Sequence, residues 1–404
     1  MRLLVVGGGA AGFFCAVNAA RMNPALEVTI LEKSSKLLSK VRISGGGRCN
    51  VTHACFSIDE MTRSYPRGYN FVKKTFHQFF TTDTIKWFEE RNVFLKTEKD
   101  GRMFPTTDSS ETIIECLLRE ARRYNVNIRL NSEVKSLRKN GDLWNIQLAD
   151  GNETADYVCV ACGGYPKSSM FGWLTDLGHT IIEPVPSLFT FNMPSNKVTA
   201  LMGIATPARI KISGTKFEEV GPVLVTHWGL SGPAVLKLSA RAARDLAALA
   251  YTFNVLVNWT GSIDEQSIRE HLTRLRTTQA AAKIYNRNQF DIPQRLWEYL
   301  CSLSGIHDNV RWADLSATML KSLVKHLYAH DMRVEGKTTY KEEFVTAGGV
   351  LLTEVDSSSM ESRLQPGLYF AGEILDVDGV TGGFNFQHAW TSGWIAALAI
   401  SKGG

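Results

Sequence analysis

The most constraining stretch of this chain lies near its beginning, where LLVV at residues 3–6 runs straight into GGGAAG at residues 7–12. A short, wholly apolar run predicts a strand buried on both faces of a parallel sheet. Beyond the first glycines, AAGFFCAVNAARMN at 10–23 is small and apolar at helical spacing, and EVTIL at 27–31 supplies a second strand. Gly7, Gly9 and Gly12 therefore fall as G-x-G-x-x-G in the turn of a βαβ unit, with Ala10 and Ala11 opening the helix. The first glycine makes the tight turn, the second lets the backbone approach a pyrophosphate, and the third lets the helix pack on the sheet. The helix N-terminus then faces the anion. Glu32 ends the second strand, placed to accept hydrogen bonds from an adenosine ribose, with Lys33 beside it. The fold class this predicts is α/β, with a Rossmann-type dinucleotide-binding domain.

The next segment narrows the choice of dinucleotide. In nicotinamide enzymes the second βαβ half comes promptly, whereas this chain enters a basic stretch with nine Lys or Arg between Lys33 and Lys74 against two acids, Asp59 and Glu60. Lys40 belongs to that stretch, and so does SGGGRCN, Ser44 to Asn50. Three consecutive glycines give up all side-chain packing and carry the largest backbone entropy in the unfolded chain. A ligand brought against main-chain N–H groups at Gly46 and Gly47 would offset that cost, and a structural glycine turn is the alternative. On the first reading Arg48 lies near phosphates or flavin oxygens, Asn50 supplies a directional hydrogen bond, and Cys49 sits between them. After VNIRL come three β-rich runs from Val134 onward, and DYVCVACGG ends in Gly163-Gly164. This arrangement resembles FAD enzymes of the glutathione-reductase superfamily, whose ribityl chain and flavin need extra cover.

Further along, two amphipathic helices are expected over 69–91 and a hairpin at FLKTEKDGRMFP. Asp108 with Glu111 reads as the cap of a helix running to Tyr124. The character changes at Pro184: residues 188–258 carry strand-like runs around one helix at 233–249, residues 263–332 are mainly helical, and from 336 strand character returns. GLYFAGE places Gly372 and Glu373 at the carboxyl end of an apolar strand, where open parallel sheets bind ligands. Gly382 and Gly383, then Phe384 and Asn385, open the last helix, whose N-terminus would meet the flavin pyrimidine ring and stabilise charge gained on reduction. Asp376 and Asp378 are expected to fix this loop. His227, in VTHWGLSGP, is the one candidate proton donor, although a lone His after an apolar run is more often a satisfied buried residue.

Together, SGGGRCN, THWGLSGPAVL and GLYFAGEILDVDGVTGGFNFQHAWTSGW resemble the YhiN-like, BaiN-like family of bacterial flavoproteins. The likeness spans essentially the whole chain; one departure is Cys162 in ACGG, where relatives commonly have threonine. It implies FAD and a discontinuous FAD domain interrupted by a β-barrel that carries a helical insert. The boundaries expected are 1–187 for the first part of the FAD domain, 188–262 for the barrel, 263–335 for the helical insert and 336–404 for the return strand and the rest of the FAD domain. It also implies reduction of oxo compounds or amine oxidation among members.

A second G-x-G-x-x-G preceded by a strand is missing from the sequence. NADH or NADPH is therefore expected, if at all, as a transient electron donor, and a small enone-like or oxo compound as substrate. An amine oxidase using oxygen, or a tRNA-modifying or RNA-binding flavoprotein, is the alternative. Between 263 and 332 nine bases stand against eight acids, a balance that argues against a nucleic-acid partner. Seven cysteines without disulfide-framework spacing, no leader pattern and no apolar run of membrane-spanning length give the expectation of a cytoplasmic, membrane-free protein. Cys49 and Cys55 lack the spacing of a redox dithiol, Cys159 and Cys162 read as lying within one strand, and no metal-ligand spacing occurs.

Overall fold

The computed structural model describes residues 1–338 and 345–403. The chain divides into two compact units, one of Met1–Ser187 with Tyr340–Gly404 and the other of Leu188–Thr339. The first is organised by a five-stranded parallel sheet in the order Leu368–Phe370, Tyr157–Val160, Arg2–Val6, Glu27–Leu31, Asn127–Arg129. Its central strand is buried from Leu3 onward, as a two-face-covered parallel strand must be. The helix Ala10–Met22 is buried along nearly its whole length and packs against the last helix, Phe384–Lys402. Alanines and glycines make that approach possible: a Cβ on Gly393 would lie 2.7 Å from the carbonyl oxygen of Ala11.

The expected meander is present as Val134–Asn140, Leu143–Leu148 and Gly151–Ala155, joined antiparallel. The two helices of 69–91 are Tyr69–Phe76 and Thr81–Glu89, and the hairpin pairs Leu95–Thr97 with Arg102–Pro105. The helix after it, Glu111–Arg123, begins without Asp108: that residue has a positive φ of 55° and its carboxylate meets Lys96, so the capping reading is corrected. Ser110 occupies the cap position, and its hydroxyl donates instead to the Arg42 carbonyl. Cys159 lies in the strand Tyr157–Val160, but Cys162 lies just past its end, so the two thiols do not share a strand.

The second unit is built on a seven-stranded sheet ordered His330–Glu335, Thr252–Asn258, Ala205–Ile212, Glu218–Val225, Gly229–Ser231, Thr190–Asn192, Lys337–Thr338. Every pairing in it is antiparallel. Among the described residues the pairings form a ladder with two ends. The helix expected at 233–249 is two helices, Pro233–Arg241 and Ala243–Ala248, broken at Ala242. Between the strands at 252–258 and 330–335 the chain forms Glu265–Thr278, Gln294–Leu303 and Ala317–Tyr328. Their apolar faces, with Trp259, Trp297 and Trp312 fully buried, join the core of the sheet. Of the strand run expected from 336, residues 339–344 lie outside the described residues.

Candidate dinucleotide site

The glycine turn behaves as its spacing requires. Gly7 has φ +114°, and a Cβ there would lie 2.5 Å from the Ala161 carbonyl oxygen; a Cβ on Gly12 would lie 2.0 Å from that of Gly7. Gly9 is different. Its backbone is extended (φ −94°, ψ −171°), and a Cβ would meet nothing within 4 Å. Neither packing nor conformation explains that glycine. The N-terminal N–H groups of the helix it caps, at Ala10, Ala11 and Gly12, have no intrahelical acceptor.

Glu32 stands beside this turn. One carboxylate oxygen accepts from the Gly8 N–H at 2.9 Å, and the other accepts from the Ser34 N–H and hydroxyl, both at 2.8 Å. A cleft of about 230 Å³ opens here, lined by Gly7, Glu32, Lys33, Val134, Cys162 and Tyr165 among others. Val134, where the expected β-rich runs begin, lines the same cleft. Lys33 holds its ammonium 5.5 Å from the Tyr165 ring centre. Burial pushes the Cys162 thiol up to about 11, so this cysteine is a neutral wall of the cleft. Tyr165 and Trp173 also line the cleft, and sequence reading missed both. Tyr165 comes directly after Gly163-Gly164, which is the signal that could have found it.

A second cluster gathers around Glu373. Lys40 donates to one carboxylate oxygen at 2.6 Å, and the Thr346 N–H donates to the other at 2.9 Å. Gly163, at φ +77°, lies alongside, its would-be Cβ 3.9 Å from Glu373. The Thr346 hydroxyl is buried with no partner among the described residues, an orphan facing this region. Gly372 (φ +74°) backs onto Ala11, where a Cβ would lie 2.8 Å from the alanine methyl, and donates its N–H to Ser392 at 2.9 Å. His388 lies fully buried against the Gly372 carbonyl at 3.3 Å, and burial holds its pKa down at about 4. It is a neutral structural imidazole.

SGGGRCN is not a plain loop. A helical turn from Ser39 gives way at Ser44, after which Gly45, Gly46 and Gly47 run through positive φ of 59°, 71° and 84°. Space over Gly46 and Gly47 is open to 4 Å, while a Cβ on Gly45 would lie 2.7 Å from Phe104. Cys49 is buried, its thiol pushed up to about 12 by that burial, which removes it from thiolate chemistry. Asn50 spends its amide inside the protein: it accepts from the Gly383 N–H at 2.9 Å and donates to the Thr52 carbonyl at 3.1 Å. Arg48 is engaged as well, with Glu98 at 2.6 Å, Asp108 at 3.6 Å and the Phe104 ring 4.0 Å beneath its guanidinium. The flavin contacts expected of these two side chains therefore compete with internal partners.

Asn50 nonetheless ties the triple glycine to the start of the last helix, since Gly383 is that helix's cap. Gly382 and Gly383 have φ +140° and +92°. Asn385 clamps the same turn by accepting from the Gly379 N–H at 2.8 Å and donating to its carbonyl at 2.9 Å. Tyr65 donates to the Phe384 carbonyl at 2.7 Å. Asp378 is fully buried, paired with Arg67, and accepts from Ser187 at 2.8 Å, which holds the loop as expected. His53, unremarked in the sequence, donates to the Gly382 carbonyl at 3.0 Å and stacks on Phe384.

His227 stands apart from this set: it belongs to the second unit, in the exposed turn after Glu218–Val225, edge-on to Trp228 with ring centres 4.2 Å apart. It is exposed, not the buried, satisfied histidine expected after an apolar run. Among the described residues no group of three or more His, Cys, Asp or Glu could hold a metal ion, and no helix is long and apolar enough to cross a membrane.

The chemistry of the first-unit residues fits FAD: a carboxylate for the adenosine ribose, a glycine-capped helix N-terminus for the pyrophosphate, and a second helix N-terminus for the flavin. Comparison with known proteins agrees. The family described as HI0933-like protein Rossmann domain matches residues 1–399. A ribosomal RNA dihydrouridine synthase of Escherichia coli is 31% identical over 404 residues, covering 98% of this chain and 96% of that one. A 3-dehydro-bile acid delta(4,6)-reductase of Clostridium scindens is 28% identical over 415 residues, covering 99% of each. Among solved structures, a 3-ketosteroid-delta4-(5alpha)-dehydrogenase from Rhodococcus jostii superposes with a TM-score of 0.53 at 12% identity, over 99% of this chain and 96% of that one, a likeness of fold.

Proposed function

From the premise that the chain belongs to the HI0933-like Rossmann family and is an FAD-dependent oxidoreductase, we propose that it reduces a carbon–carbon double bond conjugated to a carbonyl, and that the bond belongs to a uracil base of ribosomal RNA. The observation that carries this reading is the reaction common to its two relatives' names. A dihydrouridine synthase saturates the C5–C6 bond of uracil, and a delta(4,6)-reductase of a 3-oxo steroid saturates a bond of the same electronic kind. For the uracil ring of the proposed substrate, hydride would add to C6, β to the C4 carbonyl, and a proton to C5, the α carbon.

Bound at the first unit, FAD supplies the hydride. The chain's contributions are position and charge. Glu32 would take the adenosine ribose, the N–H groups at Ala10–Gly12 would take the pyrophosphate, and the backbone at Gly46 and Gly47 would hold the cofactor beyond it. Lys40 and Glu373, paired with each other, would also contact it. The N-terminus of the last helix, held open by Gly382, Gly383 and Asn385, offers fixed dipoles to the anionic reduced form, at no cost of reorganisation. His227 is the proposed proton donor to the α carbon, and NADH or NADPH the proposed source of electrons, docking transiently.

A small enone is the second reading, favoured by the bile-acid reductase. The two separate cleanly. Purified, flavin-loaded protein is given NADPH with either unmodified ribosomal RNA or a steroid 4-en-3-one, and the products are weighed by mass spectrometry. A gain of two hydrogens on uridine in the RNA is expected. Saturation of the steroid alone would select the second reading, and saturation of neither would overturn the proposal. His227→Gln should slow turnover by about 100-fold while leaving flavin reduction unchanged.

A further inference from the structure

Counted, the helical block from 263 to 332 is nearly neutral; paired, it is not. Of its nine bases only Arg269 has a carboxylate within ion-pair distance among the described residues, Glu265 at 2.9 Å. The acids are used differently. Asp264 caps its helix by accepting from the Ser267 N–H at 2.9 Å, Glu270 accepts from Gln266 at 2.6 Å, and Glu298 accepts from Gln294 at 2.9 Å.

Two of the resulting juxtapositions are of like charge. Lys283 faces Arg311 across an antiparallel bridge, fixed by bonds from the Ile284 N–H to the Val310 carbonyl and from the Trp312 N–H to the Ala282 carbonyl, both 3.0 Å. Lys321 and Lys325 stand one turn apart on the helix Ala317–Tyr328. All four side chains belong to exposed residues, and beneath them Ile284, Trp312, Leu320 and Val324 are buried, so the backbone carrying each pair is held in place. Like charges opposite one another in a ladder, or four apart on a helix, are each destabilising on their own. An anionic partner with closely spaced charges would reverse that sign, and a phosphodiester chain has that spacing.

We propose that this block is an RNA-docking surface, on which Lys283 with Arg311 and Lys321 with Lys325 each engage backbone phosphates. The inference rests on the reading that the substrate is ribosomal RNA, whose name on a relative supplies the partner. The contacts are to phosphate, so they set affinity and salt dependence and carry no base specificity. The near balance of charge that argued against nucleic acid gives way because no carboxylate among the described residues lies within ion-pair distance of Lys283, Arg311, Lys321 or Lys325, and all four are exposed.

The test uses the full flavin-loaded chain and an in vitro transcribed, unmodified ribosomal RNA. In Lys283→Glu/Arg311→Glu, affinity for the transcript should fall by at least about 10-fold near 0.1 M salt. The slope of log affinity against log salt should shrink by roughly 1.4, two phosphate contacts on single-stranded RNA. Lys283→Gln/Arg311→Gln should show the same loss of slope with a smaller loss of affinity, and Lys321→Gln/Lys325→Gln should repeat it independently. Flavin content and the rate of flavin reduction by NADPH should be unchanged in all three. If the wild-type chain forms dihydrouridine and the variants bind the transcript as it does, the surface is elsewhere and the functional reading stands. If the wild-type chain neither binds nor modifies the transcript, that reading falls and takes this proposal with it. Equal binding of wild-type protein to vesicles of anionic phospholipid would also overturn it, since the patch would then be a generic cationic face.

Discussion

The two glycine-rich stretches of the first unit look alike in sequence and are built for different reasons. In GGGAAG, Gly7 and Gly12 are required by the protein's own backbone, which a Cβ would strike at 2.5 and 2.0 Å, and only Gly9 is left open. In SGGGRCN the proportions reverse. One glycine of three, Gly45, meets a neighbour, while Gly46 and Gly47 look onto open space and are required by positive φ. The first stretch is therefore mostly a packing device, with one glycine that packing does not explain. The second is a conformational device that runs through positive φ at exposed residues.

That difference can be broken first at Gly12. Gly12→Ala places a methyl against the Gly7 carbonyl with no flexible neighbour to yield, and should destabilise the flavin-free protein by about 3 kcal/mol, read from urea unfolding. Gly9→Val should do the opposite. Its extended backbone accommodates any residue, so unfolding should stay within about 0.5 kcal/mol of wild type, while FAD affinity falls at least about 100-fold. Should Gly9→Val keep its flavin, or Gly12→Ala keep its stability, the division of labour within the first stretch is wrong.

Gly46 tests the second stretch, where conformation and close approach are confounded. Alanine at φ +71° carries a strain of about 1–2 kcal/mol, whereas asparagine tolerates the left-handed region through its own local hydrogen bonding. Gly46→Asn should therefore recover most of the stability that Gly46→Ala loses, yet still weaken FAD by about 10-fold, because its side chain occupies the open face. Normal FAD affinity in the asparagine variant would mean that Gly46 serves the turn alone.

The same contrast explains what was legible beforehand. GGGAAG could be read because strand, turn and helix are neighbours in sequence, and each glycine's role is set by local geometry. The carboxyl-end motif was legible for the same reason. Around SGGGRCN the decisive partners are distant: Glu98 lies fifty residues from Arg48, and Gly383 more than three hundred from Asn50. No local pattern announces that a guanidinium or an amide is already spent. Asp108 was misread as a cap because its spacing to Glu111 is right, although a lysine on the preceding hairpin claims it. Thr346 went unnoticed since a strand threonine is unremarkable until its hydroxyl is seen buried without a partner. Charge in the helical block is a like case, because a count is legible in sequence and pairing is not.

Arg48 offers the smallest effect and the sharpest discrimination. Read from sequence, it is a cation beside a cofactor that becomes anionic on reduction, and removing it should lower the midpoint potential by 20–40 mV, since about 30 mV corresponds to about 1.4 kcal/mol in a two-electron couple. In the structure its charge is answered by Glu98 at 2.6 Å and by Asp108 at 3.6 Å, and its plane lies on Phe104. A cation with two carboxylates at that range projects little net field beyond them. Arg48→Ala/Glu98→Gln, which removes both charges of the pair, should then shift the potential by less than about 10 mV, and Glu98→Gln alone, which frees the guanidinium, should raise it by more than that. A drop of about 30 mV in Arg48→Ala with no response to Glu98→Gln would mean that the guanidinium leaves its acids when FAD is bound. The second stretch would then act through charge as well as through backbone, and its contrast with the first would widen from geometry to electrostatics.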